Sequence, residues 1–164
     1  MATAARWIRL HSDQAAALRA AYAGFARAQS PRAAPAMLWA RADESACFVA
    51  QVAPLKFAPG RSRRWRAWAL APLIATYRHF GLRAYLDGDS ICLSGRRIAT
   101  SDATAIGACA VVVSSFLSLE CDFMDSFRSR IESQHGWQFD HSWPSPAERD
   151  AMAEALAGEI ADAK

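Results

Sequence analysis

Lysine is almost missing from this chain. Of 19 basic side chains in 164 residues only Lys56 and Lys164 are lysines; the rest are arginines, and alanine is abundant. A GC-rich coding sequence accounts for that bias, so it excludes nothing by itself. Cysteine is sparse, and Cys47, Cys92, Cys109 and Cys121 form no Cys-x-x-Cys and have no histidine close by. That density rules out a disulfide-stapled scaffold, and the spacing argues against a structural zinc site. The 8 glycines and 7 prolines are an ordinary share, which excludes collagen-like and linker-like chains. Long apolar runs are missing too. The longest, Ala105 to Leu117, falls short of the roughly 20 residues a membrane helix needs, and Met1 to Leu10 lacks the apolar stretch of a secretory leader. The expectation is a soluble cytoplasmic protein with free thiols and no membrane partner.

What is present points to a packed domain. The chain is 52% hydrophobic and 21% charged, too apolar for a disordered polyelectrolyte. Its length matches one domain, residues 1–164. The formal charge of +3 hides a division. Residues 1–100 carry 15 basic and 5 acidic side chains, whereas residues 101–164 carry 4 and 11. Such asymmetry fits either a basic binding face beside an acidic tail or two halves of one fold that attract each other.

Periodicity supplies the elements. Arg6 to Leu10 reads as a strand, and Ser12 caps a helix with the stripe Leu18, Tyr22 and Phe25. Ala36 to Ala40 and Cys47 to Val52 read as two strands around a polar turn, and Pro54 to Gly60 as a loop. Ser62 to Phe80 is helical, with Leu70, Leu73, Ile74, Tyr77 and Phe80 on one face; Pro72 either kinks it or starts a new helix. Strands follow at Arg83 to Asp87 and Ser90 to Leu93, separated by Gly88-Asp89, and valine-rich Ile106 to Phe116 is the expected central strand. Phe123, Phe127 and Ile131 mark one closing helix. The other begins at Ser145-Pro146-Ala147-Glu148, with Ser at N-cap and Glu at N3, and continues along Met152, Leu156 and Ile160. The fold class is α+β, a mixed and mostly antiparallel sheet flanked by helices.

The segment Asp89-Ser90-Ile91-Cys92-Leu93-Ser94-Gly95-Arg96-Arg97-Ile98-Ala99 resembles the hairpin of the biotin/lipoate–protein ligase superfamily, of the lipoate–protein ligase A type. In that family an acidic residue opens one strand, and a turn reading Gly-Arg-Lys-Ile-Ser/Ala-Gly begins the next. Leu38-Trp39-Ala40-Arg41-Ala42-Asp43 and the strand after it resemble the family's early strand pair, and Trp7 to Ala28 falls in the expected order. The resemblance spans roughly residues 5 to 117. It implies a ligase-like core over 1–117 and a helical part over 118–164 within one domain.

The departures bear on function. The family's turn lysine, which holds the acyl carbonyl and the nucleotide phosphate, stands here as Arg97, and the glycine after it as Thr100. Arginine keeps the charge but loses the compact ammonium. No His-Gly pair precedes the next strand, where Ile106-Gly107-Ala108-Cys109 stands instead. The family's Arg-Arg…Gly-Gly-Gly…His segment, expected after the Cys47–Val52 strand, is reduced to Ala53 to Gly60. The resemblance therefore implies a truncated, degenerate member without ligase activity that binds a small acyl or anionic ligand or a carrier protein. The alternative is an active lipoyl or octanoyl transferase or ligase with a rebuilt site, which alone would call for ATP with lipoate or biotin.

The candidate residues follow. Arg97 and Lys56 are the candidates for catalysis, and Asp89, Gly95, Arg96, Thr100 and Arg41 for ligand binding; no metal is expected. Arg96 and Arg97 read either as an anion-holding pair or as a solvated turn, and Lys56 either as a tuned ammonium or as one exposed lysine. Arg61, Arg63, Arg64 and Arg66 interleave with Trp65 and Trp68. A nucleic-acid footprint there is opposed by the modest overall charge. On a helical wheel both tryptophans lie off the Leu70–Tyr77 stripe, so they read either as additional core or, the expectation carried forward, as a partner surface of Trp65, Trp68 and Arg64 for a homodimer or a carrier protein. Cys109 and Cys121 invite comparison with superfamily transferases that use a cysteine nucleophile, though Cys109 reads as a core residue. His135 and His141 read as surface or capping groups in a loop.

Overall fold

The computed structural model describes residues 2–11, 15–119 and 122–162. The expected cap Ser12, Cys121 and the side chain of Ile160 lie outside the described residues. The elements are β1 (Thr3–Arg9), α1 (Ala15–Arg27), β2 (Ala36–Arg41), β3 (Ala46–Pro54), α2 (Trp65–His79), β4 (Tyr85–Asp87), β5 (Ser90–Leu93), β6 (Arg96–Ile106), β7 (Cys109–Leu117), α3 (Phe123–His135), β8 (Trp137–His141) and α4 (Pro146–Asp162). The strands form one sheet in the order β4-β5-β6-β7-β3-β2-β1-β8. β1 runs parallel to both β2 and β8, and every other pair is antiparallel. Among the described residues no helix is long and apolar enough to cross a membrane.

Alternation along the strands builds two layers of core. Trp7, Trp39, Val49 and Phe116 face α2 and α3, where they meet Leu73, Tyr77, Phe123 and Phe127. Ile8, Leu38, Phe48 and Val111 face the other way, against Leu18 and Phe25 of α1 and Met152 of α4. Strands β2 and β3 are covered on both faces, which is why they read as continuous apolar runs rather than as alternation.

Helix α4 is tied to the sheet by its first turn. Ser145 and Glu148 form a reciprocal capping box, Glu148 N–H to Ser145 Oγ at 3.2 Å and Ser145 N–H to Glu148 Oε1 at 2.8 Å. The same carboxylate accepts two hydrogen bonds from the Arg6 guanidinium of β1, at 2.7 and 2.9 Å, and one from Gln29 Nε2 at 2.6 Å. Gly24 lets α1 and α4 touch: a Cβ there would lie 2.2 Å from the Ala151 carbonyl oxygen.

The expected strands need correction. The central strand expected at Ile106 to Phe116 is present as β7 but starts three residues later, at Cys109, because Gly107 takes φ +55° and turns the chain between β6 and β7. The stretch before it, rich in Thr, Ser and Asp, is the eleven-residue β6, half open to solvent and so lacking an apolar signature. Of the two readings of Pro72, the structure excludes a second helix starting there, since one helix runs from Trp65 to His79. The loop expected between the last two helices contains β8, whose Trp137 and Phe139 point inward while Gln138 and Asp140 point out.

Trp65 is core rather than partner surface. Trp65 is 6% exposed, donates Nε1–H to the Pro59 carbonyl at 2.7 Å and packs on Ala110 and Val112 of β7. Trp68 is half-buried, stacked on His135 at 4.4 Å and edge-on to Trp137 at 5.9 Å. Helix α2 is embraced by the sheet and by the α3–β8 corner together, so its apolar face is wider than a single stripe. Of the three residues assigned to that surface only Arg64 is exposed.

Candidate functional site

The β5–β6 hairpin turns at Ser94 and Gly95, both with positive φ (52° and 78°), as a two-residue type I′ turn requires. Arg96 and Arg97 open β6 and are exposed. The pairing register then jumps, with Cys92 opposite Arg97 but Ile91 opposite Ala99, so Ile98 is an extra residue. Such a bulge breaks the two-residue alternation and re-aims the side chains around it. Arg97 lines an open cavity of about 370 Å³ together with Ala46, Thr100, Ser115 and Leu117. Thr100 lies opposite Ser115, and Ala46 opposite Leu117, so the trough crosses β6, β7 and β3 on the sheet face away from α2 and α3. A mostly apolar trough with a guanidinium at its rim suits a short acyl chain ending in an anion.

Arg97 and Thr100 thus share one cavity. The other sequence candidates are elsewhere. Gly95 makes the turn and Arg96 projects from it. Arg41 lies in the row Ala99–Phe116–Cys47–Arg41, roughly 14 Å from β6 at three strand spacings, and lines a different cavity. Asp89 sits at the far end of β5, where its carboxylate accepts from Ser90 Oγ at 2.9 Å and its carbonyl from Ser101 N–H and Oγ–H, each at 2.8 Å.

Lys56 is the farthest away. Ala46 pairs with Leu117 at the Arg97 edge, whereas Pro54 pairs with Cys109 at the opposite edge. Lys56 follows Pro54, so the length of β3 holds it roughly 25 Å from Arg97. It is exposed, with its ammonium 4.9 Å above the Phe57 ring.

The described thiols, Cys47, Cys92 and Cys109, are buried. Burial pushes Cys109 up to about 11, and burial also raises Cys47 despite the nearby Arg41 and Arg9. His135 lies between Trp68 and Trp137, with both ring nitrogens buried and unpartnered; burial lowers its pKa to about 4. Among the described residues no three His, Cys, Asp or Glu groups come together as metal ligands would.

Sequence reasoning missed a second cluster. Arg9, Arg41 and Arg128 surround a cavity of about 260 Å³ floored by Trp7 and Trp39, with His141 and Asp125 at its margin. The β-strand part follows from pairing: Arg9 lies beside Trp39, and Trp7 beside His141. The only signal in sequence was the alternation Trp7-x-Arg9 and Trp39-x-Arg41, which puts ring and guanidinium on the same face.

A mixed sheet of this order, with two helices on each face, is the fold of solved lipoate protein ligases. A protein of Thermoplasma acidophilum assigned as a lipoate protein ligase superposes with a TM-score of 0.80 at 10% identity, over 94% of this chain and 95% of that one. The bi-partite lipoate protein ligase of T. acidophilum, described together with its E2 lipoyl domain, gives 0.77 at 8% identity over 94% and 92%. A lipoate-protein ligase A bound with ATP gives 0.75 at 9% identity over 96% and 95%. At such identities the likeness is one of fold. No family model and no curated protein sequence matches the chain.

Proposed function

We propose that this protein uses a lipoate-ligase fold to bind a small acyl or anionic ligand, or a carrier-protein partner, and does not catalyse ligation. The observation that carries this reading is the separation of roughly 25 Å between Lys56 and Arg97. The one described lysine therefore cannot replace the ammonium whose place Arg97 has taken. The described thiols add no obvious nucleophile, since Cys47, Cys92 and Cys109 are all buried and burial raises the pKa of Cys47 and Cys109. What remains is a recognition surface: the trough beside Thr100 for a chain and Arg97 for its charged end. The lipoyl domain described with the T. acidophilum ligase supports a carrier as the partner class.

The test is direct. The full chain is incubated with ATP, lipoate and a lipoyl acceptor domain, and acyl-adenylate and lipoylated acceptor are measured. None is expected. Titration with octanoate and with lipoate is expected to show binding that Arg97→Gln weakens roughly tenfold and Lys56→Ala leaves unchanged. Adenylate formed at an ordinary turnover rate overturns the reading, as does octanoate binding indifferent to Arg97.

A further inference from the structure

We propose that the cavity framed by Arg9, Arg41 and Arg128 is a second binding site, for the phosphoryl group of a phosphate monoester. It lies on the α3 side of the sheet, whereas the Arg97 trough lies on the opposite face. The inference therefore stands independently of the function proposed above.

Three guanidiniums meet here without an anion to hold them. Among the described residues the one ion pair within 4.0 Å is Arg6–Glu148, so none of the three has a carboxylate partner. Asp125 lines the cavity and offsets one charge, leaving a net of two positive charges. A phosphate monoester, close to dianionic at neutral pH, matches that charge, and its oxygens match the planar donor fork of arginine.

The donors are held in place before any ligand arrives. Arg9 rests over the Trp39 ring at 4.9 Å, and Arg128 over the Trp7 ring at 5.7 Å. Arg128 also donates Nη2–H to the Phe139 carbonyl at 2.9 Å and lies 3.3 Å from His141 Nε2, which can only accept from it. That leaves the guanidinium with further N–H groups to offer. Trp39 Nε1–H, buried beneath Arg9, has no acceptor among the described residues.

Size and position narrow the ligand. About 260 Å³ lies below the roughly 300–1,000 Å³ typical of whole-ligand pockets, so the site holds a head group. An adjoining hollow of about 280 Å³ shares Arg9 and Arg41 and continues past Leu10 and His11, giving the rest of the molecule an exit. The strands that aim Arg9, Arg41 and His141 at this point are the three parallel ones, and their carboxyl ends meet at one edge.

The experiment titrates the full chain with inorganic phosphate and with phenyl phosphate at low ionic strength, following heat and tryptophan fluorescence. Both probes are expected to saturate, phenyl phosphate the more tightly. Arg9→Gln and Arg41→Gln should each weaken binding roughly tenfold or more, while Arg97→Gln leaves it unchanged. Among the described residues neither of the first two side chains makes a hydrogen bond, so thermal melts of those variants should stay close to the parent, Arg9→Gln losing only its contact with the Trp39 ring. Absence of saturation in the millimolar range overturns the proposal. So do wild-type affinity in both variants and a loss in Arg97→Gln equal to theirs.

Discussion

Replacing Glu148 by glutamine removes the negative charge at a junction of β1, α1 and α4. The carboxylate accepts from Arg6, Gln29 and the Ser145 backbone, and it is only 7% exposed. Burial alone would raise its pKa, but the Arg6 and Gln29 hydrogen bonds, the Ser145 N–H and the Arg6 charge outweigh burial and lower it from 4.5 to about 2. A depression of that size corresponds to about 3 kcal/mol of folded-state preference for the ionised form. Breaking a buried pair costs about 3–5 kcal/mol, and with the Arg6 side chain 24% exposed the lower end applies. The two routes agree on about 3 kcal/mol, and in a domain of this size that lowers Tm by roughly 6–12 °C. The pH dependence has a definite sign. The unfolded chain takes up its proton near pH 4.5 and the folded chain only near 2, so the stabilisation is complete above pH 4.5 and is lost as pH falls through 2. Urea unfolding of parent and Glu148→Gln should therefore show a gap at neutral pH that closes near pH 2. A neutral-pH gap under about 1 kcal/mol, or one that persists in acid, refutes the reasoning.

Other expectations are more local. Gly24→Ala pushes a methyl into the Ala151 carbonyl and should destabilise by about 1–3 kcal/mol, read from denaturant midpoints; a neutral result would mean that α1 and α4 separate freely. Trp65→Ala should cost about 3–5 kcal/mol in the same assay, because the ring fills core between α2 and β7; a surface ring would cost far less. Cys109, raised from 9.0 to about 11, should react with iodoacetamide at pH 8 roughly a hundredfold more slowly than in the denatured chain, as peptide mapping by mass spectrometry would show; equal rates would contradict its burial.

Local patterns were readable wherever one short stretch contains its own reason. The Ser145–Glu148 capping box, the Phe123–Phe127–Ile131 stripe and the β2–β3 pair stand where their residues indicated. The Gly-Arg-Arg-Ile turn and the order of elements pointed to the ligase fold. What escaped depends on contacts across the chain. A helical wheel knows of one neighbour, and α2 has two layers of them, so Trp65 and Trp68 were placed outside. β8 was short and interrupted by polar residues, and only its pairing with β1 makes it a strand. Lys56 stands out by its rarity, and rarity carries no information about which end of β3 a residue occupies. The arginine–tryptophan cavity needs β1, β2, β8 and α3 at once, and no window of sequence contains them.

The parallel pairing of β1 with β8 also sets a schedule for synthesis. Arg6 meets Glu148 across 142 positions of chain. A ribosome adding roughly 5–20 residues per second needs about 7–30 s to cover that distance. Throughout that interval one edge of β1, with Trp7 and Ile8 beside it, has no permanent neighbour, although β2 can dock early on the other side. Completion thus waits for the last quarter of the chain, and a nascent strand with an open backbone edge is a natural target for chaperones or for mispairing.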